Sequence, residues 1–392
     1  MPQPTATIFC PVTAPPERNL LVLSADGTAV GGVTRATLSL TAELRSRGWS
    51  VETVYPASID AARLTAWAGS RGVEVKVSDN WLNPLSGRVR NALGLVRHVR
   101  ASQATIVNLH YGGSHVPLKD VLAVRLAGRK RCVVTLHAPN PWAETGQARK
   151  MMTALASRLC AGVVPVCGAV AEIVGDAGVA TDKTFVIPGG VAAPGAVPSR
   201  EEARTALGIS ADAFVVGSVA RLSPEKGIPY LVDAVADLLP GETPPPFLLI
   251  KGDRSSEWET VTELARKRLP GRSLILEADA DNELVFAASD IFVLPSLLEG
   301  YPLVLMEAAF RGLPCVATHV GSVDDLVVEG ETGFVVHPGS AAELSSAIER
   351  LRSDERLRAA MSENALKRAT SEFTESLMAD RYERVFLAAA GR

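Results

Sequence analysis

The sequence predicts an α/β protein in which two parallel sheets, each covered by helices, form two successive domains. Short strand-like runs rich in branched apolar residues alternate with longer amphipathic stretches, which is typical of βαβ units. The alternation begins again after residue 195. At 392 residues the chain is also longer than the roughly 250 to 300 residues at which a single hydrophobic core stops growing.

The first half contains the strand-like runs LLVLSA, VETVYP, TIVNLH, VVTLHA, GVVPVC and TFVIP. Residues 1–19 predict an irregular lead-in. The stretch 33–47 predicts a helix that ends before Gly48, because glycine adopts the left-handed conformation that terminates many helices. The stretch 87–102 predicts another helix, with arginines around an apolar face. We prefer a core helix with a solvated basic face, and the alternative is a helix that lies on an anionic membrane.

The second half contains the runs FVVGSVA, FLLIKG, SLILEA, DIFVLP, PCVATH and GFVVHP. Between the halves, residues 191–204 have the proline and glycine content of a linker. They lead into a helix start at which Ser199 and Glu202 have the spacing of a capping box. We therefore expect one domain over residues 1–195, a second over 196–372, and a last helix within 373–392.

The composition limits the class of protein. Five cysteines, odd in number and without C-x-x-C spacing, predict a reducing compartment and no zinc site. The chain has neither the run of roughly 20 apolar residues that spans a bilayer nor a signal-peptide pattern. We expect a cytoplasmic protein, at most peripheral to the inner face of a membrane, with no metal ion and no nucleic-acid partner.

The net charge of −3 conceals an asymmetry. Residues 1–195 contain 20 Lys and Arg against 12 Asp and Glu, whereas the remainder contains 20 against 31. A basic first half favours an anionic acceptor or an anionic lipid surface. Unevenly distributed solvated charge explains the same numbers.

Two features of the first half predict a ligand at the carboxyl ends of its strands, where open parallel sheets bind ligands. Gly31 and Gly32 stand where the first helix begins, so backbone amides and the helix dipole are available to an anion, although a tight turn needs the same glycines. His110 and His137 each end a strand-like run. Both are candidates for the site, and a structural hydrogen-bonding role is the alternative for each.

In the second half, Arg221 and Lys226 follow the run FVVGSVA and precede a helix. Two cations in a loop beyond the end of a strand can hold a diphosphate. The guanidinium acts as a two-pronged donor and the ammonium as a point charge. Two solvated loop cations are the alternative.

The segment SLLEGYPLVLMEAAFRG, residues 296–312, follows the run DIFVLP. We predict a turn up to Gly300 and then a helix whose first residue is Pro302, because proline lacks only an amide that a helix start leaves unbonded. The free amides of Leu303 and Val304 then favour an anion, for which Gly300 leaves room.

Two carboxylates flank this predicted anion site. Glu299 lies in the turn, and Glu307 lies about two helical turns further on. Carboxylates beside a phosphate site are expected to bind hydroxyls, which suggests a diphosphate with a sugar on one side and a nucleoside ribose on the other. A helix-dipole contact and a surface ion pair would explain each glutamate separately, but not the pair together with the glycine.

These motifs match a known family. The GGV loop, VVTLHA, VIPGGV, VARLSPEKG, LPSLLEGYPLVLMEA with its E-x7-E spacing, and GLPCVAT followed by EGETGFVVHP occur in this order. Over nearly its whole length the sequence resembles the retaining family 4 glycosyltransferases of GT-B fold. The resemblance implies two Rossmann-like domains facing a cleft, the second binding a nucleotide-sugar donor and the first mainly the acceptor, with a last helix that returns to the first domain.

The resemblance also implies a role for each candidate residue. Arg221 and Lys226 would neutralise the donor diphosphate. Glu299 would bind hydroxyls of the sugar, Glu307 the ribose, and His137 would lie over the sugar. The other positions line the two sides of the cleft: Gly300, Tyr301, Pro302, Leu303 and Val304 beside the sugar and phosphates, Ala278 within 277–279 at the base, and Gly31, Gly32 and His110 on the acceptor side.

The implied activity is transfer of a hexose-type sugar from UDP or GDP to an acceptor hydroxyl, with retention of configuration and no cofactor besides the nucleotide sugar. A phosphorylase or epimerase on the same fold is one alternative, and a non-catalytic sugar-nucleotide binding module is another. Several positions depart from the family pattern: Gly189 and Ala192 in VIPGGVA, Ala138 after the histidine, Ser322 in place of a glycine, and KGDRSS, where Lys251 or Arg254 is either a further phosphate ligand or a solvated cation.

Overall fold

The computed structural model describes residues 18–25, 31–56, 60–78, 88–128, 130–139, 146–240, 245–277 and 281–391, with the backbone alone for 88–91. Within these ranges the predicted architecture of two helix-covered parallel sheets is confirmed. Most of the predicted lead-in, residues 1–17, lies outside the described residues.

The first sheet and its helices occupy residues 19–176. Its strands are β1 (Asn19–Ser24), β2 (Ser50–Pro56), β3 (Lys76–Ser78), β4 (Ile106–Tyr111), β5 (Arg131–Leu136) and β6 (Gly162–Pro165). All six are parallel, in the order β3-β2-β1-β4-β5-β6. The helices are α1 (Gly32–Ser46), α2 (Ala61–Ser70), α3 (Arg88–Ala101), α4 (Leu118–Leu126), α5 (Gln147–Leu159) and α6 (Gly168–Asp176).

The second sheet repeats this plan. Its strands are β7 (Val215–Val219), β8 (Phe247–Lys251), β9 (Ser273–Leu276), β10 (Ile291–Leu294), β11 (Cys315–Thr318) and β12 (Gly333–Val336), parallel in the order β12-β11-β10-β7-β8-β9. The helices are α7 (Arg200–Leu207), α8 (Ile228–Ala236), α9 (Trp258–Arg268), α10 (Asn282–Ala288), α11 (Leu303–Phe310), α12 (Val323–Leu326), α13 (Ala341–Ser353), α14 (Glu355–Glu372) and α15 (Glu375–Ala390). Short 3-10 turns occur at Thr181–Lys183 and Pro224–Lys226.

Two helix ends form as the sequence predicts. Ser199 accepts a hydrogen bond from the amide of Glu202 while the Glu202 carboxylate accepts one from Ser199, so the capping box is present. Gly48 follows α1 with φ of +81°, as expected of the glycine that ends a helix.

Two predictions about strands were wrong. The run TFVIP, residues 184–188, is not a regular strand: it forms one bridge, between Thr184 and Val163, and lies along β6 through hydrogen bonds from the amides of Phe185 and Ile187 to the oxygens of Val163 and Pro165. Strand β3 was missed because KVS is short, polar and exposed at the edge of the sheet, and therefore lacks the apolar run that marks a buried strand.

The last helix returns to the first domain, as predicted. Tyr382 and Phe386 of α15 are buried in the same core as Leu20 and Val22 of β1. The crossing depends on Gly190, because a Cβ there would lie 2.5 Å from the backbone oxygen of Thr374.

The carboxyl ends of strands from both sheets meet at one cleft. Its walls include residues that follow β1, β5, β7 and β10, which is where parallel α/β sheets bind ligands. No helix in the described ranges is long and apolar enough to cross a membrane.

Candidate functional site

The cleft contains two adjoining cavities, with volumes of about 620 Å³ and about 310 Å³. Nearly all of the predicted site residues line one or both of them. Both cavities are lined by Gly31, Gly32, Arg221, Lys226, Glu299, Tyr301 and Leu303, the larger also by His137 and Gly300, and the smaller also by Pro302, Val304 and Glu307. Ala278 lies outside the described residues.

Glu299 is held by two hydrogen bonds to the same carboxylate oxygen. The Lys226 ammonium donates to Oε1 at 2.7 Å, and the Ser296 hydroxyl donates to it at 2.7 Å. The side chains of Lys226 and Glu299 are only 17% and 10% exposed. Since Oε1 takes both contacts, Oε2 is the oxygen that Glu299 can offer to a ligand.

The two predicted phosphate-binding cations differ in their surroundings. Arg221 is 58% exposed and pairs with Glu225 at 3.0 Å across one turn of the loop, an arrangement that holds a side chain weakly. Lys226 is mostly buried and is fixed by Glu299. Gly227, next to it, has φ of +60°, and a Cβ there would lie 2.2 Å from the oxygen of Pro295, so this glycine lets the cation loop approach the strand that leads to Glu299.

The start of α11 differs by one residue from the prediction. Pro302 has ψ of 94°, which is extended, so it is the N-cap residue and Leu303 is the first helical residue. The amides of Leu303 and Val304 are in the first turn, where a helix supplies no acceptor. These amides are therefore still available to an anion, although the helix begins one residue later than predicted.

The reason for Gly300 is also different from the predicted one. A Cβ on Gly300 would lie 2.6 Å from the backbone oxygen of His137 and 2.9 Å from Cα of Ala138. The space left by the missing side chain is thus filled by the backbone of the opposite domain. Ser322, which departs from the family pattern, donates a hydrogen bond to the Gly300 oxygen at 2.6 Å and so holds this loop.

Glu307 is 7% exposed and forms an ion pair with Arg35 of α1. Arg35 bonds to Oε1, whereas Oε2 is buried without a hydrogen-bond partner in the described part of the chain. Burial, followed by the positive charge of Arg71, lowers the pKa of Arg35 below its usual value. A buried carboxylate oxygen without a donor is costly and is suited to accept a hydrogen bond from a ligand hydroxyl.

Arg35 was not among the residues predicted from the sequence. Its position, three residues beyond Gly32, places it in the first turn of a helix that starts at the cleft, and this was the available signal. Arg63, Asp253 and Asn282 were also missed and line the smaller cavity. Arg63 and Asn282 belong to no motif, and Asp253 lies within KGDRSS, where only the cations were considered.

The two candidate cations of KGDRSS have different positions. Lys251 lines the smaller cavity, whereas Arg254 pairs with Glu277 and stacks on the Trp258 ring, with its centre 5.1 Å from the ring centroid. Among the other departures from the family pattern, Gly189 and Ala138 line the larger cavity.

His137 lies directly after β5 and lines the larger cavity, and burial lowers its pKa to about 4. His110 does not reach the cleft: it is 1% exposed, lies behind His137 and lines neither cavity. His110 Nδ1 is 2.9 Å from His137 Nε2. Burial, and then the neighbouring His137, hold the pKa of His110 well below its usual value.

No group of three or more His, Cys, Asp or Glu side chains arranged to hold a metal ion occurs among the residues that the structure describes. The four cysteines in the described ranges, Cys132, Cys160, Cys167 and Cys315, are buried and free.

Two Rossmann-like domains that face a cleft, with a C-terminal helix returning to the first domain, define the GT-B class. The family model "Glycosyltransferase Family 4" matches residues 30–193, and the model "Glycosyl transferases group 1" matches residues 199–368. Together they leave out little more than the two ends of the chain. The chain belongs to the family 4 glycosyltransferases of GT-B fold.

Curated relatives match over part of their length. A D-inositol 3-phosphate glycosyltransferase of Corynebacterium aurimucosum is 34% identical over 201 residues, 49% of this chain and 47% of the relative. A UDP-Gal:alpha-D-GlcNAc-diphosphoundecaprenol alpha-1,3-galactosyltransferase of Escherichia coli is 28% identical over 213 residues, 52% of this chain and 54% of the relative. The chain thus spans about half the length of the curated relatives it matches.

Solved structures share the fold over almost the whole chain. Anabaena Alr3699/HepE in complex with UDP has a TM-score of 0.78 and 24% sequence identity, covering 94% of this chain and 99% of that chain. This likeness concerns the fold.

Proposed function

We propose that this protein is a retaining glycosyltransferase that moves a hexose-type sugar from a UDP- or GDP-sugar to an acceptor hydroxyl. One observation carries the proposal: the Lys226–Glu299 pair and the Glu307 carboxylate lie around the amides that start α11, in adjoining cavities. Lys226 and the helix amides suit a diphosphate, whereas the free carboxylate oxygens suit hydroxyl groups. A sugar joined through a diphosphate to a nucleoside has these groups in this order.

The proposed reaction uses the charges at this site. As the bond between the sugar C1 and the diphosphate oxygen breaks, negative charge develops on the departing diphosphate, where Lys226 and the Leu303 amide stabilise it. The acceptor oxygen forms the new bond to C1 on the face that the diphosphate leaves, and its proton passes to the departing phosphate oxygen. Configuration is retained, and positioning supplies much of the rate.

We further propose that residues 1–195 with the returning helix 373–392 hold the acceptor, and residues 196–372 hold the donor. The names of the relatives support an acceptor that carries phosphate, since they specify inositol phosphate or a diphosphate-linked lipid. Anabaena HepE, which has the same fold, was solved with UDP-glucose. The choice between UDP and GDP is open to direct measurement.

The first experiment is a thermal-shift screen of UDP-, GDP-, ADP- and dTDP-sugars on the full chain. We expect one nucleotide class to raise the melting temperature, and release of the free nucleotide to follow on incubation. Glu299→Ala should abolish turnover, whereas Glu329→Ala, which alters a carboxylate outside both cavities, should not. Absence of any shift with all four classes contradicts the proposal.

The alternatives give different results. A non-catalytic module would bind a sugar nucleotide but neither transfer nor hydrolyse it. A phosphorylase with lysine-bound pyridoxal phosphate would absorb light beyond the protein band, and an epimerase would change the sugar without releasing it.

We also propose that the protein works in the cytoplasm, with its first domain against an anionic membrane. Residues 88–160 carry Lys or Arg at twelve positions and an acid at two, Asp120 and Glu144. Helices α3, α4 and α5 pack side by side and carry exposed apolar side chains: Leu93, Leu122, Leu126, Met151, Met152 and Leu155. Apolar side chains within a basic surface favour the interface of an anionic bilayer.

Vesicle flotation tests this surface. The protein should float with phosphatidylglycerol vesicles and not with phosphatidylcholine vesicles, and high salt should release it. The double variant Leu126→Ser/Met151→Ser should weaken binding. Leu366→Ser, which alters an exposed leucine of α14 in the other domain, should leave it unchanged; equal binding to both vesicle types contradicts the proposal.

A further inference from the structure

Behind His137 lies a chain of buried polar side chains that no catalytic role accounts for. Asn108 and His110 lie on β4, Thr135 lies on β5, and Tyr382 is supplied by the returning helix α15. All four are buried. Their polar atoms connect in one line: Tyr382 Oη to Thr135 Oγ1 at 3.4 Å, Thr135 Oγ1 to Asn108 Oδ1 at 3.1 Å, Asn108 Nδ2 to His110 Nε2 at 2.9 Å, and His110 Nδ1 to His137 Nε2 at 2.9 Å.

From these contacts we infer that this row of hydrogen-bonded side chains positions His137 and keeps it neutral with its proton on Nδ1. His137 then meets the donor sugar as a hydrogen-bond donor and not as a base. The inference rests on the proposed function for the identity of the ligand. It does not depend on that function for the protonation of His137 itself.

The direction in which these hydrogen bonds are donated follows from Tyr382, the side chain furthest from His137. In the described part of the molecule, Thr135 Oγ1 is the partner of the Tyr382 hydroxyl, so Tyr382 satisfies its proton by donating to Thr135. Thr135 then donates to Asn108 Oδ1, and the Asn108 amide group donates to His110 Nε2. Because that nitrogen accepts, the proton of the neutral His110 ring is on Nδ1, which donates to His137 Nε2.

Thr37 supports the same direction independently. Its hydroxyl donates to the Val33 oxygen at 2.7 Å, and its oxygen also lies 3.4 Å from His110 Nδ1. With its proton already engaged, Thr37 can only accept from His110. Asn108 at Nε2 and Thr37 at Nδ1 therefore both place the proton of the His110 ring on Nδ1.

The consequence for His137 concerns its second ring nitrogen. Nε2 accepts from His110, so the proton of the neutral ring must be on Nδ1. Burial lowers the pKa values of both histidines, in agreement with two neutral rings. Since His137 lines the larger cavity, Nδ1–H is available to a sugar oxygen, and the acceptor proton must go elsewhere, as transfer to the departing phosphate provides.

Nitrogen-15 NMR of the histidine rings in the ligand-free, full-length protein tests the inference directly. At pH 7.5, His110 and His137, assigned through His110→Gln and His137→Gln, should both be neutral and protonated on Nδ1. A neutral histidine side chain in water prefers the tautomer with its proton on Nε2, so this result is not the default. A proton on His137 Nε2 overturns the inference whether or not the protein transfers a sugar.

Asn108→Asp supplies the reversed case, because a carboxylate cannot donate. The proton of His110 should move to Nε2, where the carboxylate accepts it, and that of His137 should move from Nδ1 to Nε2, measured at a pH at which both rings are neutral. Unchanged tautomers would show that Asn108 does not set them.

A matched pair of variants separates positioning from stability. Thr135→Val and Thr53→Val each delete one buried hydroxyl from the first sheet. Thr135 belongs to the row of hydrogen-bonded side chains behind His137, whereas the Thr53 hydroxyl bonds to that of Thr41 at 3.0 Å. Both should lower the melting temperature to a similar degree, and only Thr135→Val should lower kcat, by about 3- to 10-fold, the cost of about one weakened hydrogen bond. Equal effects on kcat would contradict a positioning role.

Discussion

Arg35 in the first domain forms an ion pair with Glu307 in the second, across the cleft. The pair occupies Oε1 of Glu307 and leaves Oε2 buried without a partner in the described part of the chain. One carboxylate oxygen therefore orients the side chain between the domains, and the other is available to a ligand. This arrangement assigns separate tasks to the two oxygens of one glutamate.

The first prediction concerns the group that Glu307 binds. If Oε2 accepts from the ribose, the wild type should bind UDP more tightly than 2′,3′-dideoxy-UDP, by about 10- to 100-fold, because hydrogen bonds to charged groups contribute about 1.5–3 kcal/mol. Glu307→Ala should bind the two nucleotides equally. Isothermal titration calorimetry measures both; GDP replaces UDP if the screen selects it. A preference for the ribose hydroxyls that survives Glu307→Ala would place them elsewhere.

Arg35→Met gives a second, separate prediction. It leaves the buried Glu307 carboxylate without its ion-pair partner, so both the melting temperature and the nucleotide affinity should fall. Arg63→Met alters another N-terminal-domain arginine that lines the smaller cavity but forms no described ion pair, and it should leave the melting temperature unchanged. If Arg35→Met is as stable as Arg63→Met, the interdomain pair contributes no stability.

The unequal burial of Lys226 and Arg221 predicts unequal effects on phosphate binding. Lys226→Met should weaken nucleoside diphosphate binding by about 10- to 100-fold, the range of a charge-assisted hydrogen bond. Arg221→Met should weaken it by less than about 5-fold, because this exposed side chain is held by a weak surface pair with Glu225. Titration with the free nucleoside is the control and should show no change in either variant. Equal losses would mean that Arg221 becomes ordered on the ligand.

The fold and the elements of the site could be predicted because they depend on local patterns. The strand runs, the Ser199 capping box and the segment around Glu299 each have a periodicity or spacing that appears in the sequence. The contacts that complete the site do not. Arg35 meets Glu307 across 272 positions, and Gly300 meets the backbone of His137. Such contacts depend on how two separately folded domains face each other, which no local pattern specifies.

His110 was predicted to lie in the cleft, and the structure places it elsewhere for a similar reason. Its position at the end of a strand predicts a place in the cleft, and the next strand does bring His137 there. The pairing of β4 with β5 places His110 beside Thr135, however, and its side chain is buried behind His137. The sequence identifies both histidines but does not distinguish the one that faces the cleft from the one that supports it.

The Gly300→Ala variant tests how closely the two domains approach each other. In Gly300→Ala, a Cβ 2.6 Å from the His137 oxygen would push the two domains apart by roughly 1 Å, and a misplacement of that size can lower kcat by about 100-fold. The melting temperature should change little because neither core is altered. Gly69→Ala is the matched control, since a Cβ there meets nothing within 4 Å. Unchanged kcat in Gly300→Ala would mean that the domains do not approach this closely during turnover.

The lowered pKa values of His137 and His110 predict how stability depends on pH. For His137, the folded state has a pKa of about 4, whereas the unfolded chain has the ordinary value near 6.5. Between these values the unfolded state binds more protons, so the free energy of unfolding should fall as the pH is lowered from about 6.5 towards 4, with a slope of up to about 1.4 kcal/mol per pH unit for each histidine.

Urea unfolding at a series of pH values measures this slope. His137→Gln should flatten it relative to the wild type, whereas His319→Gln, at an exposed histidine beside Asp324, should not. A parallel pH dependence in wild type and His137→Gln would mean that His137 is not held neutral by the fold.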